Sequence, residues 1–178
     1  RWELVLGKFA GLFASIGIAT TIGFGLAGAV IAIYASTMDA STYLLFLVLV
    51  LALIAVMTGI GLVASVVSQT RVQALSLALL VWFVAVLLFD LVLIGMVSAA
   101  SLSGGALLLA LLANPVEIVR VLAIIHLEPD LQILGPFGSF LLERLGVAGA
   151  TAVLAAALAL WTVTPVAVAT WLFRSKDA

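Results

Sequence analysis

The sequence predicts an all-α polytopic membrane protein, and its composition and its apolar stretches predict this fold class. Of the 178 residues, 66% are hydrophobic and 8% are charged, whereas about a quarter of the residues of a soluble globular domain are charged. Four apolar stretches are each long enough for a helix that crosses a bilayer, which takes about 20 residues. We therefore predict a bundle of membrane helices that forms a single transmembrane domain over residues 1–178.

The charge and the cysteine content exclude several other classes. A formal net charge of -1 argues against a basic surface that binds nucleic acid, and no nucleic-acid motif is present. The chain contains no cysteine, which excludes disulfides and thiolate metal sites. Because the sequence starts with Arg1 and not with Met, we expect it to begin inside a longer natural chain.

Four membrane spans account for most of the chain, and basic residues orient them. The predicted spans are 9–35, 43–67, 74–97 and 147–173. Five basic residues flank the spans on one side of the membrane: Arg1, Lys8, Arg71, Arg174 and Lys176. Because basic residues are enriched in cytoplasmic loops, this pattern predicts that both ends of the segment are cytoplasmic.

The interval 98–146 separates the third and fourth spans and is too broken to be a simple crossing. Leu102 to Ala113 is apolar but too short to span, so it should enter the membrane and turn back or lie at the interface. Asn114 is the predicted N-cap of a short helix that ends near Leu127, with Glu117 reaching back toward the cap.

The second half of that interval contains two predicted breaks. Residues 128–130 should end the short helix, and Gly135-Pro136-Phe137-Gly138 should form another break before an amphipathic piece from Ser139 to Leu145, closed by Gly146. Broken helices at membrane depth persist only where protein or water satisfies their backbone groups. We therefore expect this outer segment to meet a partner or a transport pathway.

Small side chains recur every four residues in the first span and predict a helix-packing ridge. The ridge comprises Gly7, Gly11, Ser15, Ala19, Gly23 and Ala27. The spacing does not decide whether the ridge packs within the chain or against a second copy. A second ridge, Ala148, Ala152 and Ala156, lies in the last span, where Thr164-Pro165 should kink the helix.

Asp90 is the single acidic residue within a predicted span, and charged groups in membranes are often functional. It could be a proton or cation ligand, or it could form a structural hydrogen bond to a helix end or to a residue near the outer interface, for example in the outer segment. We favour the structural role, because a proton-coupled transporter normally has more than one buried ionisable group.

His126, Met38 and Met96 lie on the predicted outer side and would suit a copper ion. Met is nevertheless a common apolar residue, and His126 also fits a helix end. No catalytic motif is present, so we predict a protein that is not an enzyme and that binds no cofactor itself.

Four stretches together resemble one transporter family. They are Arg1 to Lys8, Ser68 to Ala74, the Trp82 to Asp90 spacing, and Asn-Pro-Val-Glu-Ile-Val-Arg at Asn114 to Arg120. The chain is similar to ABC-2 permeases, and within them to the permeases that serve copper-site maturation of nitrous oxide reductase. The resemblance implies six spans, of which these are the last four, in a homodimer in the bacterial inner membrane. It also implies a cytoplasmic ABC ATPase that binds ATP and Mg, a periplasmic partner protein, and copper as a possible component of the complex.

The resemblance also assigns two contact surfaces. The candidate ATPase contacts are Arg1, Trp2, Glu3, Lys8, Gln69 and Arg71. The candidate contacts of the outer partner are Asn114, Glu117, Arg120, His126, Glu128 and Asp130. Three alternatives stay open: an exporter of a lipid or hydrophobic peptide, an ion-coupled carrier that uses Asp90, and a membrane scaffold without a transport role.

Overall fold

A computed structural model describes residues 2–34, 39–92, 103–127, 131 and 134–175, with side chains up to residue 173. In these ranges the chain is helical and contains no strand, which confirms the predicted fold class. Six helices follow in order: α1 Trp2–Tyr34, α2 Ala40–Val67, α3 Arg71–Val92, α4 Gly104–Leu112, α5 Pro115–Leu127 and α6 Gly135–Ser175. A π-helical turn, Val84–Leu88, lies inside α3.

Four of these helices, α1, α2, α3 and α6, are long and apolar enough to cross a membrane. The first begins at Trp2, earlier than the predicted span, so the polar approach and the span form one continuous helix. The helices α4 and α5 are bent against each other by 117°. The chain therefore changes direction sharply before α5, and the prediction that the apolar stretch before Asn114 does not cross the membrane stays a prediction.

Short polar side chains explain where the helices begin. Asp39 caps α2 by accepting hydrogen bonds from the backbone N–H of Ser41 and from the hydroxyl of Thr42. Thr70 caps α3 by accepting from the N–H of Gln73, whose side chain accepts in turn from the N–H of Gln69. These bonds satisfy the N–H of Gln73, which has no partner within the first helical turn, and the N–H of Gln69 just before the helix.

The last helix differs from the prediction at two places. It begins at Gly135 and not at Ser139, because Pro136 is tolerated in the first turn, where no N–H is needed. No break interrupts α6 at Thr164-Pro165, and its non-helical residue is Gly146, with φ 65°; the kink expected at Pro165 stays a prediction. Pro165 instead packs against Gly59 of α2. The predicted closure at Gly146 is confirmed.

The core is organised around α2, which contacts α1, α3, α5 and α6. Its main cluster includes Val56 of α2, Ile118 of α5 and Leu154 of α6. A second cluster joins Val5 near the start of α1 to Leu62 and to Ala169 near the end of α6. The chain start, the α2–α3 link and the end of α6 therefore lie at one end of the bundle, as the positions of the basic residues predict.

The small-residue ridge of α1 makes no packing contact within the described chain. Its members are exposed, and a Cβ added to Gly7, Gly11 or Gly23 would meet nothing within 4 Å. The helix packs through a different face, where Gly17 lies against Leu51. The three alanines of the second ridge, in α6, are exposed as well. The four-residue spacing of small side chains identified both ridges. It does not show which face of a helix packs against a neighbouring helix.

Candidate functional site at the bend between α4 and α5

The bend between α4 and α5 is hydrogen-bonded to the helices on both sides of it. Asn114, which is buried, donates from Nδ2 to the carbonyl oxygen of Ala85 in α3 at 2.6 Å. Its Oδ1 accepts from the N–H of Val116 at 3.0 Å, which confirms the predicted N-cap. Trp161 of α6 donates from Nε1 to the carbonyl oxygen of Leu112 at 2.9 Å. These bonds satisfy backbone groups that the break exposes, as burial in a membrane protein requires.

The partner of Asn114 lies in the π-helical turn of α3. Ala85 is one of the five residues of this turn, Val84–Leu88. A π-helical turn shifts the hydrogen-bond register of a helix, and such turns frequently occur at functional sites. The bend and the irregular part of α3 therefore form one joint.

A charged cluster lies further along both helices. Arg120 of α5 donates to Asp90 of α3 through two parallel bonds, Nη1 to Oδ1 at 2.9 Å and Nη2 to Oδ2 at 3.0 Å. Asp90 is about 28 Å along the helix axis from Arg71 at the start of α3, which is close to the thickness of the hydrocarbon core. Asp90 is thus bonded to the outer segment through Arg120, and its role as a purely structural group stays a prediction.

Glu117 belongs to the same cluster and does not reach back to the cap of α5. Its Oε1 lies 2.9 Å from Nη1 of Arg120, yet it makes no hydrogen bond of acceptable geometry. We attribute this to Nη1, which already donates to Asp90. The predicted capping role of Glu117 is wrong, because the cation on the next turn attracts the carboxylate more strongly than a neutral N–H does.

The residues expected to contact an outer partner separate into three groups. Asn114 and Glu117 are buried, with exposed fractions of 2% and 5%. We therefore correct their predicted role: both make contacts within the chain and not with an outer partner. The Arg120 side chain is half-exposed, and His126 is exposed with Nδ1 2.8 Å from the carbonyl oxygen of Leu122, as at a helix end. Glu128 and Asp130 lie outside the described residues.

The copper hypothesis is untested, because only one of its three candidate ligands, His126, lies within the described ranges. Met38 and Met96 lie outside those ranges. Within them, no three or more His, Cys, Asp or Glu side chains are close enough to hold a metal ion.

The candidate ATPase contacts lie at the end of the bundle where the chain starts. The described members, Trp2, Glu3, Lys8, Gln69 and Arg71, are all exposed. Arg1 lies outside the described residues. Their role in docking stays a prediction.

Two mainly apolar spaces adjoin these elements. A groove of about 530 Å³ runs between α1 and α6 and is bounded by Trp2 and Trp171. The hydroxyls of Thr162 and Thr170 in its wall donate to carbonyl oxygens of their own helix, so the groove is effectively apolar. A smaller cavity of about 280 Å³ lies beside the bend, with Phe89 and Pro115 in its wall.

Sequence reasoning missed Trp161, although a signal was available. A tryptophan inside a span carries an N–H that needs an acceptor when it is buried. The acceptor, the carbonyl oxygen of Leu112, is exposed only because α4 ends there. The partner was therefore not visible from local sequence.

Comparison with known proteins agrees with this architecture. A family model described as ABC-2 family transporter protein matches residues 1–178, the whole chain. A search of curated proteins finds no match. The family implies a multi-pass membrane component that works with an ABC ATPase. The chain therefore belongs to the ABC-2 family of transporter proteins and is a permease subunit.

Proposed function

We propose that this permease transmits movement from a cytoplasmic ABC ATPase to the outer segment 98–146, where a periplasmic protein docks. The observation that carries the proposal is the attachment of the bend to both α3 and α6. The helix α3 begins directly after the exposed α2–α3 link, and α6 ends at the same end of the bundle. A displacement of either helix at that end moves the bend with it.

The ion pair extends this connection outward. Arg120 lies beyond Asn114 on α5, and Asp90 lies beyond Ala85 on α3. The two helices are thus joined at two levels, so α5 follows α3 as a rigid body. Mechanical transmission requires such a double attachment, because a single bond permits rotation.

The resemblance in sequence supports a more specific assignment. We propose a NosY-like subunit of a NosDFY-type complex: a homodimer in the bacterial inner membrane, with both ends of this segment cytoplasmic. Its partners are a NosF-like ATPase, which binds ATP and Mg, and a NosD-like periplasmic protein, in copper-site maturation of nitrous oxide reductase. The apolar walls of both described spaces favour transmission of movement over a hydrated path for a copper or sulfur species.

A second candidate function is export of a lipid or hydrophobic peptide. The apolar groove between α1 and α6 favours it, since its volume and its shielded hydroxyls suit an apolar chain. Such a substrate should stimulate ATP hydrolysis by the complex. An ion-coupled carrier that uses Asp90 has less support, because both carboxylate oxygens of Asp90 already accept from Arg120.

Purification in mild detergent tests the proposal. We expect an ATPase and a periplasmic protein to co-purify with the chain. Arg71→Glu should reduce ATPase binding several-fold, because it reverses an exposed charge at the α2–α3 link. Arg144→Glu is the matched control, since Arg144 is an exposed arginine of α6 far from the α2–α3 link. Stable association without any ATPase would favour a scaffold and contradict the proposal.

A further inference from the structure

The charges of the cluster at Asp90, Glu117 and Arg120 do not balance. Two carboxyl groups share a single guanidinium: Asp90 takes two hydrogen bonds from Arg120, and Glu117 lies 2.9 Å from the same Nη1. If both carboxyl groups are ionised, the cluster carries one uncompensated negative charge. Such a charge within protein at membrane depth is strongly unfavourable.

Glu117 is the group that bears this cost. It is 5% exposed, whereas the Asp90 side chain is 32% exposed. Its Oε1 is buried, points into the cluster and has no hydrogen-bond partner. Its neighbours on α5 are apolar, with Ile118 and Val121 buried beside it. A neutral carboxylic acid fits this environment better than a carboxylate does.

The elements packed against the cluster supply no second cation within the described residues. The helices α2 and α4 contain no charged residue. On α6, Glu143 and Arg144 are exposed and outside the core. The remaining titratable group of α5, His126, is exposed and bonded to its own helix. A proton is therefore the simplest species that restores neutrality.

We propose that Asp90, Glu117 and Arg120 form a proton-binding site, in which Glu117 carries the proton and Arg120 stays paired with Asp90. Oδ1 of Asp90 and Oε1 of Glu117 each lie 2.9 Å from the same atom, Nη1 of Arg120. Loss of the proton leaves a net negative charge between α3 and α5, and like charges then weaken the attachment of the outer segment. The site does not depend on the identity of the ATPase or of any cargo.

Infrared difference spectroscopy of the protein in lipid nanodiscs tests the site. At neutral pH, we expect the carbonyl stretching band of one buried, protonated carboxylic acid. The band should be absent in Glu117→Gln. It should also be absent in Asp90→Asn, because Arg120 is then free to pair with an ionised Glu117. Glu143→Gln, which changes an exposed glutamate, should retain the band.

Thermal unfolding at a series of pH values gives an independent readout. A group that binds its proton more tightly in the folded state stabilises the protein at low pH, and this stabilisation is lost as the pH rises. We expect the melting temperature to fall in the unaltered protein as the pH rises from about 4.5 to about 7, and to change much less in Glu117→Gln. Absence of the infrared band, its persistence in Glu117→Gln, or stabilisation by Na⁺ in place of the proton would overturn the proposal.

Discussion

Asn114 and Ala85 are 29 residues apart in sequence, yet Nδ2 of the first donates to the carbonyl oxygen of the second at 2.6 Å. The bond joins the break between α4 and α5 to the π-helical turn of α3. Asn114 serves both sides of the contact, because its Oδ1 caps α5 at the same time. One side chain thus satisfies the backbone at two irregular points.

Replacing Asn114 should separate these two roles. Asn114→Leu removes the cap and leaves the Ala85 carbonyl without its donor, at a cost of about 2–4 kcal/mol in the free energy of unfolding. Asn114→Asp keeps the cap and loses only the donor, so its destabilisation should be smaller. Thermal unfolding in detergent measures both. Unchanged stability of Asn114→Asp would show that the bond to Ala85 contributes little, and equal effects of the two substitutions would show that the cap does.

Trp161→Phe should destabilise the bend from the α6 side. The substitution removes the donor to the Leu112 carbonyl and leaves a partly buried acceptor unpaired, at a cost of about 1–2 kcal/mol. Trp171→Phe is the control, because Trp171 is 68% exposed and its loss should change the free energy of unfolding by less than about 0.5 kcal/mol. The same melting temperature for both variants would contradict the assigned role.

Gly59 should tolerate no large side chain, because α6 passes close to it. A Cβ at this position would lie 3.3 Å from Cβ of Pro165 and 3.4 Å from Cγ2 of Val166. Gly59→Leu should cost about 1–3 kcal/mol or prevent folding. Gly61→Leu is the matched control two residues away, where a Cβ would meet nothing within 4 Å. Yield and melting temperature in detergent distinguish the two.

The exposed ridge of α1 should lie at the interface of the proposed homodimer. The chain has no cysteine, so a single introduced cysteine reports directly on proximity. Ser15→Cys should form a disulfide-linked dimer in membranes after mild oxidation. Ile16→Cys, on an exposed residue about 100° around the helix, should not. Cross-linking of Ile16→Cys alone would place the interface on another face.

Local signals in the sequence predicted much of the bend. Asn114 followed by Pro115 indicated a helix start, and the short apolar stretch before it indicated a segment that turns back. Asp90 and Arg120 have opposite charges, and an aspartate in a span needs a partner. The sequence therefore indicated that Asp90 would be paired, although not with which residue. These features depend on residues that are adjacent in sequence or on charges that are rare in the spans.

Other features were not predictable from the sequence. Ala85 accepts a hydrogen bond through its backbone, and no side chain marks the π-helical turn in which it lies. Pro165 normally disrupts a helix, but here the helix continues and Gly59 of α2 leaves room for the ring. Both outcomes depend on which helices are neighbours, and that information is spread over the whole chain.

The central position of α2 affects how conformational states of this permease should be compared. It contacts α1, α3, α5 and α6 and contains no charged residue, so it contributes no member to the charged cluster between α3 and α5. Superposition on Ala40–Val67 therefore provides a common coordinate frame for nucleotide-free and nucleotide-bound forms. In that frame, a displacement shared by α3 and α5 indicates coupled motion, whereas a displacement of α5 alone indicates that the joint has opened.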